Sequence, residues 1–238
     1  MPLKATINYS PNFNIKKRLK KSIKFLIYHY TGMKSETAAI KRLTNIQSEV
    51  ASHYLIKKNG EIVIFVPDSY VAWHAGVSAW KKYKYLNQNS IGIEISNPGH
   101  QFGYKKFSLK QVNSLIKLSK FLIKKYKINK KNILGHSDIA PLRKKDPGEN
   151  FPWKYLAKKN IGFWHNLKKN ELNKLRNKKC NKILNNKFFS NLYKIGYSKN
   201  YKKQNEKLLI KAFQRRFRPR LINGIIDQEC LLLSKNLI

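Results

Sequence analysis

The chain has 238 residues, of which 50 are Lys or Arg and only 12 are Asp or Glu, so its formal net charge is +38 at pH 7. Its longest apolar runs, such as "IVIFV" at 62–66, are far shorter than the roughly 18 residues that a membrane-spanning helix requires. The start of the sequence lacks the apolar stretch of ~7 to 15 residues that a secretory signal needs, so the sequence as written predicts neither a transmembrane segment nor an export signal.

The first predicted elements are a buried strand and a short helix. The run "IKFLIYHYTG", residues 23–32, is rich in β-branched and aromatic residues, which predicts a strand with His29 near its end. The segment "SETAAIKRLTN" has Ser35 in the position of an N-cap and predicts a short helix.

A hairpin and a second buried strand follow. In "HYLIKKNGEIVIFV" two strand-like runs flank Asn59-Gly60, and an Asn-Gly pair in this setting is the strongest short hairpin signal. The run "SIGIEI", residues 90–95, predicts a further buried strand whose one charged residue is Glu94.

The clearest helix begins at Ser108, because "SLKQ" is a capping box completed by Gln111 and apolar residues then recur at helical spacing. The run "NILGH", residues 132–136, predicts another short strand, again ending in a histidine. Short strands alternating with helices predict the α/β (α+β) class, with a mixed central sheet flanked by helices.

The composition changes near residue 168. The run "NLKKNELNKLRNKKCNK" is typical of a linker, and a smaller apolar-patterned region extends from about residue 183 to the end. We therefore predict a first domain over 1–168 and a linker with a small all-α domain over 169–238. Cys180 and Cys230 have no CxxC spacing, which favours ordinary small apolar roles.

The two histidines at strand ends suggest a metal site. If their strands are neighbours, His29 and His136 can converge with Asp146 from the loop that follows. Two imidazoles, one carboxylate and an open fourth position are the arrangement of a catalytic zinc. Glu94 is then a candidate general base, and a nearby cation, Lys144 or Lys145, could stabilise an oxyanion.

Each of these residues also has an ordinary structural interpretation. A histidine is more often a surface or core residue than a metal ligand, and the chain has six. The tripeptide "DPG" at 146–148 is a good turn sequence, and Glu94 could be a solvated charge at a strand end. Spacing alone leaves both interpretations open.

The high charge also has two interpretations. An excess of Lys and Arg is typical of a protein that binds a polyanion. However, the lysines are spread from end to end and accompany abundant Asn and Ile, as expected from compositional drift in an A+T-rich genome. No recognisable nucleic-acid motif concentrates the basic residues, so no specific nucleic-acid partner is expected.

Five separated motifs resemble one enzyme family. "YHYTG", "SHYLI", "AWHAG", "NSIGIEI" and "GHSDIAPLRKKDPG" are similar, in order and context, to zinc-dependent N-acetylmuramoyl-L-alanine amidases of the type 2 amidase family, over roughly residues 20–165. The resemblance implies that one Zn²⁺ per chain is bound by His29, His136 and Asp146. It further implies that Glu94 is the catalytic acid/base and that Lys144 stabilises the oxyanion.

The resemblance also implies a substrate-binding wall. Its residues would be Trp73, His74, Ala75 and Gly76 of "AWHAG", together with Arg143. By the same comparison Lys145 has no catalytic role and Asp138 supports the loop without binding metal. His53 in "SHYLI" is expected to be a core histidine or to lie behind the metal ligands.

Residues 208–230, "LLIKAFQRRFRPRLINGIIDQEC", resemble the helix and "NG-x-x-D" turn of three-helix peptidoglycan-binding modules. Cys230 and the extra lysines depart from that pattern, which puts glycan binding by this module in doubt but not its helical fold. Relatives that combine both domains are exported lipoproteins of the cell envelope, whereas this sequence as written predicts a cytoplasmic protein.

The function implied is hydrolysis of the amide bond between N-acetylmuramic acid, or its anhydro form, and L-alanine, in peptidoglycan or muropeptides. We expect a monomer that acts in cell-wall turnover or recycling. The alternative is a non-catalytic peptidoglycan-recognition protein of the same fold. The complete set of catalytic residues in the sequence favours the enzyme.

Overall fold

A computed structural model of the chain describes residues 4–199 and 203–238. The strands, numbered in chain order, are β1 (Thr6–Ile7), β2 (Phe13–Asn14), β3 (Phe25–Tyr30), β4 (Tyr54–Ile56), β5 (Ile62–Ile64), β6 (Val71–Ala72), β7 (Ala79–Trp80), β8 (Tyr83–Lys84), β9 (Ser90–Ile95) and β10 (Ile133–Gly135). Six of them form a mixed sheet in the order β1-β5-β4-β9-β3-β10. The remaining four form two small pairs, β2 with β6 and β7 with β8.

The helices are α1 (Glu36–Thr44), α2 (Leu109–Tyr126), α3 (His136–Ile139), α4 (Trp153–Lys158), α5 (Lys169–Leu175), α6 (Lys182–Ile195), α7 (Glu206–Phe217) and α8 (Gln228–Asn236). Within the described residues, none of them combines the length and the apolar character that crossing a membrane requires. The predicted fold class, a mixed sheet with flanking helices followed by a helical C-terminal region, is confirmed.

The local sequence signals produce the predicted elements. The Ser35 side chain accepts a hydrogen bond from the Ala38 N–H and caps α1. Ser108 and Gln111 form the reciprocal capping box of α2. Strands β4 and β5 pair in the antiparallel sense on either side of the Asn-Gly turn. These three predictions are confirmed, and each depends only on residues close together in the sequence.

The centre of the sheet is β3, which pairs in parallel with β9 on one side and with β10 on the other. Alternate residues of β3 point to opposite faces. Leu26 and Tyr28 pack in one hydrophobic cluster with Leu115 and Leu122 of α2. Helix α2 therefore covers one face of the sheet, and its buried leucines each contribute about 1.5–3 kcal/mol relative to exposure.

The C-terminal helices cover the other face. Phe25 and Ile27 of β3 belong to one hydrophobic cluster with Phe188 of α6 and Phe213 of α7. A continuous core therefore crosses the boundary predicted near residue 168. The helical region therefore packs directly on the sheet and shares its hydrophobic core.

The segment predicted to be a linker has regular structure and contacts the helices that follow it. It contains α5, whose Leu172 is buried in the shared core. Just beyond α5, Arg176 donates two hydrogen bonds to the buried carboxylate of Glu229 in α8. Residues that follow Arg176 are also held, since the Asn177 N–H donates to Asp227 and Lys179 forms a β-bridge with the same residue. The described part of 169–238 holds four helices, α5 to α8.

Asp138 joins the sheet to the helical region. Its buried carboxylate accepts hydrogen bonds from the Gly135 N–H at 2.8 Å and from the Tyr197 hydroxyl at 2.9 Å, and it pairs with Arg216 of α7. The prediction that Asp138 supports the loop is confirmed, and part of that support comes from the C-terminal helices.

Candidate active site

Sheet register brings the predicted site residues together. His29 and Glu94 are direct neighbours across the parallel pair β3 and β9, so both side chains leave the same face of the sheet. On the other side of β3, Gly135 is the last residue of β10. His136 follows it as the first residue of α3 rather than as the strand end that the sequence predicted. Asp146 lies in the loop beyond α3.

His29, His136 and Asp146 form a compact buried cluster, here called the triad. The Nδ1 atoms of the two histidines are 2.9 Å apart, and each lies 3.0 Å from Oδ2 of Asp146. An ion about 2.0–2.1 Å from three tetrahedral ligands would separate them by about 3.3 Å. The triangle is therefore within a few tenths of an ångström of the size that such an ion requires, and the three residues can hold a metal.

The Ala75 carbonyl group orients the ring of His136 from the side opposite the triad. Nε2 of His136 lies 3.1 Å from the Ala75 carbonyl oxygen, which can only accept a hydrogen bond, and 3.3 Å from Nη2 of Arg143, which can only donate one. The carbonyl oxygen is the nearer partner, so we assign the proton to Nε2. In a neutral ring the lone pair is then on Nδ1, which faces the triad. A backbone carbonyl behind a histidine is a common way to orient a metal ligand.

The proton on His29 is fixed through a longer chain. Ser90 Oγ donates its single hydrogen to the Leu86 carbonyl oxygen at 2.6 Å, so it accepts from Nε2 of His74 at 3.1 Å. His74 then accepts at Nδ1 from Nε2 of His29, also at 3.1 Å. Consequently His29 also turns the lone pair of Nδ1 toward the triad, and three electron-rich atoms converge with no proton between them.

The surroundings of His29 and Asp146 favour the protonation states that a metal needs. Desolvation, assisted by the nearby His136, lowers the pKa of His29 to about 4. Burial alone would raise the pKa of Asp146, but its histidine neighbours, His136 first and then His29, hold it well below its ordinary value. A neutral imidazole and an ionised carboxylate are the forms that bind a metal ion.

Glu94 borders this centre with an unsatisfied oxygen. Oε2 of Glu94 is shielded from solvent and has no hydrogen-bond partner among the described residues. Burial first, and the negative charge of Asp146 second, raise the pKa of Glu94 to about 8, while Lys144 acts in the opposite direction. A cation held by the triad would favour the ionised form, so the carboxylate and the triad fit one occupied centre.

The site opens into a cavity of about 720 Å³, here called the active-site cavity. Its lining includes the triad, Glu94 and Lys144, and also the side chains of Tyr30, His100 and Phe102. A cavity of this size accommodates a ligand larger than a single amino acid. The triad, the candidate base and the candidate oxyanion cation therefore all line one space.

The residues predicted to form a substrate wall lie only partly in the lining of the active-site cavity, which includes His74 and Arg143. Trp73 does not line the active-site cavity, and its indole N–H donates to Oδ1 of Asn14 at 2.6 Å. Ala75 and Gly76 also lie outside the lining, although the Ala75 carbonyl supports His136. Arg143 does line the cavity, but its guanidinium donates to the carbonyl oxygens of Ala75 and Val77 and thereby holds that loop.

His74 lies behind a triad residue and also contributes to the lining of the active-site cavity. The residue is buried, and both ring nitrogens are engaged, by His29 and by Ser90. Its ring packs on β9 where Gly92 leaves room, since a Cβ at Gly92 would lie 2.4 Å from Cγ of His74. The "AWHAG" motif alone does not predict this role, because the hydrogen-bond partners of His74 lie on β3 and β9, far from the motif in sequence.

His53 lies deeper in the protein, as expected. It is fully buried, and its Nδ1 accepts a hydrogen bond from the Gly92 N–H at 3.0 Å. Burial and the positive charge of Arg18 lower the pKa of His53 to about 3. Its ring lies against that of His74, so His53 belongs to the support behind the triad.

Comparison with known proteins agrees with this geometry. A family model described as N-acetylmuramoyl-L-alanine amidase, Amidase_2, matches residues 19–149, which include the whole triad, Glu94 and Lys144. The chain belongs to the Amidase_2 family. Membership confirms the family predicted from the five motifs, and it makes the chain an enzyme of the N-acetylmuramoyl-L-alanine amidase class.

Several members of the family resemble this Amidase_2 chain over most of its length. It is 35% identical to AmiD of Escherichia coli (strain K12) over 230 residues, which is 91% of this chain and 82% of that protein. The solved complex of AmiD with anhydro-N-acetylmuramic acid-L-Ala-D-γ-Glu-L-Lys matches with a TM-score of 0.78 at 34% identity, covering 94% of this chain and 91% of the other.

Two further relatives show how far the similarity extends. AmpDh3 of Pseudomonas aeruginosa, in complex with anhydromuramic pentapeptide, matches with a TM-score of 0.79 at 30% identity and covers 98% of this chain and 97% of the other. AmpD of Haemophilus influenzae is 42% identical over 113 residues, 47% of this chain and 59% of that protein. The C-terminal helices are therefore shared with AmiD and AmpDh3.

Proposed function

We propose that the protein is a zinc-dependent amidase that hydrolyses the bond between the lactyl group of N-acetylmuramic acid and the L-alanine of the stem peptide. The observation that carries the proposal is the convergence of three lone-pair atoms 2.9–3.0 Å apart beside a buried carboxylate oxygen that has no partner among the described residues. Such an arrangement is costly unless a cation neutralises it.

Zinc suits this donor set better than other common ions. Two imidazole nitrogens and one carboxylate oxygen in a tetrahedral arrangement are typical of catalytic zinc, whereas Mg²⁺ and Ca²⁺ prefer oxygen ligands in greater number. One Zn²⁺ per chain would be held by His29, His136 and Asp146. Bound there, it would polarise the scissile carbonyl and make the attacking water more acidic.

Glu94 and Lys144 would act on the substrate. Glu94 would take the proton of the attacking water and then deliver it to the departing amine of L-alanine, which needs that proton to leave as a neutral group. Lys144 would stabilise the negative charge that develops on the carbonyl oxygen, and it lines the active-site cavity in which that oxygen would lie.

The relatives suggest the form of the substrate. AmiD and AmpDh3 were solved with anhydro-muramyl peptides, and these two proteins resemble this chain over more than nine-tenths of its length. We therefore propose muropeptides, including the 1,6-anhydro form, as substrates, with a role in cell-wall turnover or recycling.

Mass spectrometry of muropeptides incubated with the zinc-loaded protein tests this proposal. The expected products are the free stem peptide, beginning with L-alanine, and the intact muramyl sugar. Products cut at any other bond, or no cleavage by protein that contains one zinc per chain, would contradict the proposal. The second outcome would favour a recognition protein of the same fold.

A second expected result concerns His74. Replacing His74 with Ala leaves the Nε2 proton of His29 without its acceptor, and loss of such a partner typically weakens metal binding by about 10–100-fold. Competition with a chromophoric chelator would measure the zinc dissociation constant. His165→Ala is the matched control, because His165 lies outside the active-site cavity. If His74 instead contacted substrate, KM would rise while the zinc affinity stayed at the wild-type value.

A further inference from the structure

A second cavity adjoins the active-site cavity where the helical region meets the catalytic loop. It has a volume of about 410 Å³ and lies between Lys144 and Lys145 on the loop and Lys211 and Arg215 on α7. Lys144 and Lys145 line both cavities, so the two spaces are neighbouring parts of one groove. We call the second space the junction cavity.

Arg215 is the buried cation of the junction cavity. It is only 8% exposed, and among the described residues its solvent-shielded Nε has no hydrogen-bond partner, which is also true of Nε in Arg216 and Arg218. Its ion pair with Glu149 spans 3.8 Å, which is longer than a hydrogen bond. Burial lowers the pKa of Arg215, as expected for a guanidinium removed from water without full compensation.

The neighbouring arginines of the same segment are used differently. Arg216 donates to the carboxylate of Asp138, and Arg218 donates to that of Asp227. Both pairs are buried, and they connect structural elements of the core. Arg215 has no comparable close carboxylate in the described part of the chain, although it lines a cavity large enough for part of a ligand.

The charge around the junction cavity is unbalanced. Glu149 is the acidic residue in its lining, and its carboxylate accepts a hydrogen bond from Nε2 of His100 at 3.0 Å. The cationic side chains in the lining are Arg143, Lys144, Lys145, Lys211 and Arg215. A ligand that enters the cavity therefore gains most if it carries a negative charge.

We propose that Arg215 and Lys211 bind a carboxylate of the stem peptide, so that α7 contributes to the substrate-binding site. This inference rests on the proposed amidase function. A γ-linked glutamate, as in the ligand bound to AmiD, leaves its α-carboxylate free. The C-terminal carboxylate of the peptide is a second anion of the same kind. A planar guanidinium can bind either one through two parallel hydrogen bonds.

Kinetics with three synthetic muropeptides test the inference. The first keeps both carboxylates, the second has the α-carboxylate of the γ-linked glutamate converted to an amide, and the third has a C-terminal amide. The wild-type enzyme should prefer the first substrate over one of the amides by about 10–100-fold in kcat/KM, as expected for hydrogen bonds between charged groups. The amide substrate with the lower kcat/KM identifies which carboxylate is bound.

The Arg215→Gln and Lys211→Gln variants should reduce that preference. Lys211 is half-buried at the cavity edge, so its replacement provides a test even if the Arg215 variant folds poorly. Arg220→Gln is the control, because it removes the same charge from an exposed arginine outside the junction cavity. That control should keep the wild-type preference.

The outcomes separate this inference from the proposed function. If the wild-type protein cleaves all three substrates at similar rates, or if both variants keep the wild-type preference, the inference is wrong and the amidase function stands. If the zinc-loaded wild-type protein cleaves none of them, the proposed function itself fails. An Arg215 variant that loses stability while Lys211→Gln keeps the full preference would mean that Arg215 serves only as a partner of Glu149.

Discussion

The His136→Ala variant is expected to lose both its zinc and its activity. The substitution removes one of three ligands and leaves two, which cannot complete the site of a catalytic zinc. Because the metal is expected to contribute several kcal/mol to stabilising the transition state, activity should fall by at least about 10³-fold. Metal analysis after dialysis against a weak chelator, together with cleavage rates at matched protein concentration, measures both effects.

His165→Ala serves as the control for this variant as well. Its imidazole lies outside the active-site cavity, so the variant should retain one zinc per chain and near-native turnover. Asp146→Asn provides a second ligand variant that changes the shape of the site very little, since only the charge is removed. A His136→Ala protein that still holds a full equivalent of zinc would show that the triad is not the metal site.

The site residues were predictable because each has a local signature. His29 and His136 close short apolar runs, and Asp146 and Lys144 lie in a motif that extends over more than ten positions. Parallel strands place their carboxyl ends at one edge of a sheet, so side chains at those ends can meet whatever the strand order. The order itself, with β3 between β9 and β10, comes from contacts between residues far apart in sequence and was not predictable.

The support behind the triad was less accessible to sequence reasoning. The family resemblance assigned His74 and Trp73 together to a substrate wall, and the two side chains have different hydrogen-bond partners. The partner of His74 is Ser90, and the residue that leaves room for its ring is Gly92, both on β9. The sequence does not show that Ser90 and Gly92 contact His74, because that contact depends on how the strands pair.

The helical region shows the same limit. The lysine-rich run after residue 168 has the composition of a linker, and only the burial of Leu172 reveals that α5 belongs to the core. Likewise, Arg215 is one of 50 basic residues in the sequence, and burial distinguishes it from the exposed lysines. Net charge therefore gives little information about which cation is available to a ligand. The structure adds the burial of each cation and its distance from the nearest carboxylate.

The Glu94→Gln variant is expected to keep zinc and lose turnover. Gln has nearly the same shape but cannot accept the proton of the attacking water, and removal of a general base typically lowers the rate by about 10²–10⁴-fold. Lys144→Ala should lower it by about 10²–10³-fold through loss of oxyanion stabilisation. KM should change much less in both variants, because these interactions form chiefly in the transition state. Near-native turnover by a zinc-loaded Glu94→Gln protein would require another base.

The stability of the metal-free Glu94→Gln variant provides an independent check of the environment of this carboxylate. Burial raises the pKa of Glu94 from 4.5 to about 8, so the folded state favours the protonated form. In the unfolded chain the carboxyl ionises near its ordinary pKa, and metal-free wild-type protein should therefore lose stability as pH rises from about 4.5 to about 8. Neutral Gln has no such dependence. Thermal unfolding in the presence of a chelator should therefore show the stability of the variant, relative to that of the wild type, increasing from about pH 4.5 to about pH 8.

Bound zinc should reduce this increase in relative stability, since a nearby cation stabilises the ionised carboxylate of the wild type. Equal pH dependence of the two metal-free proteins would mean that Glu94 is solvated, and its assignment as the catalytic base would lose its physical basis.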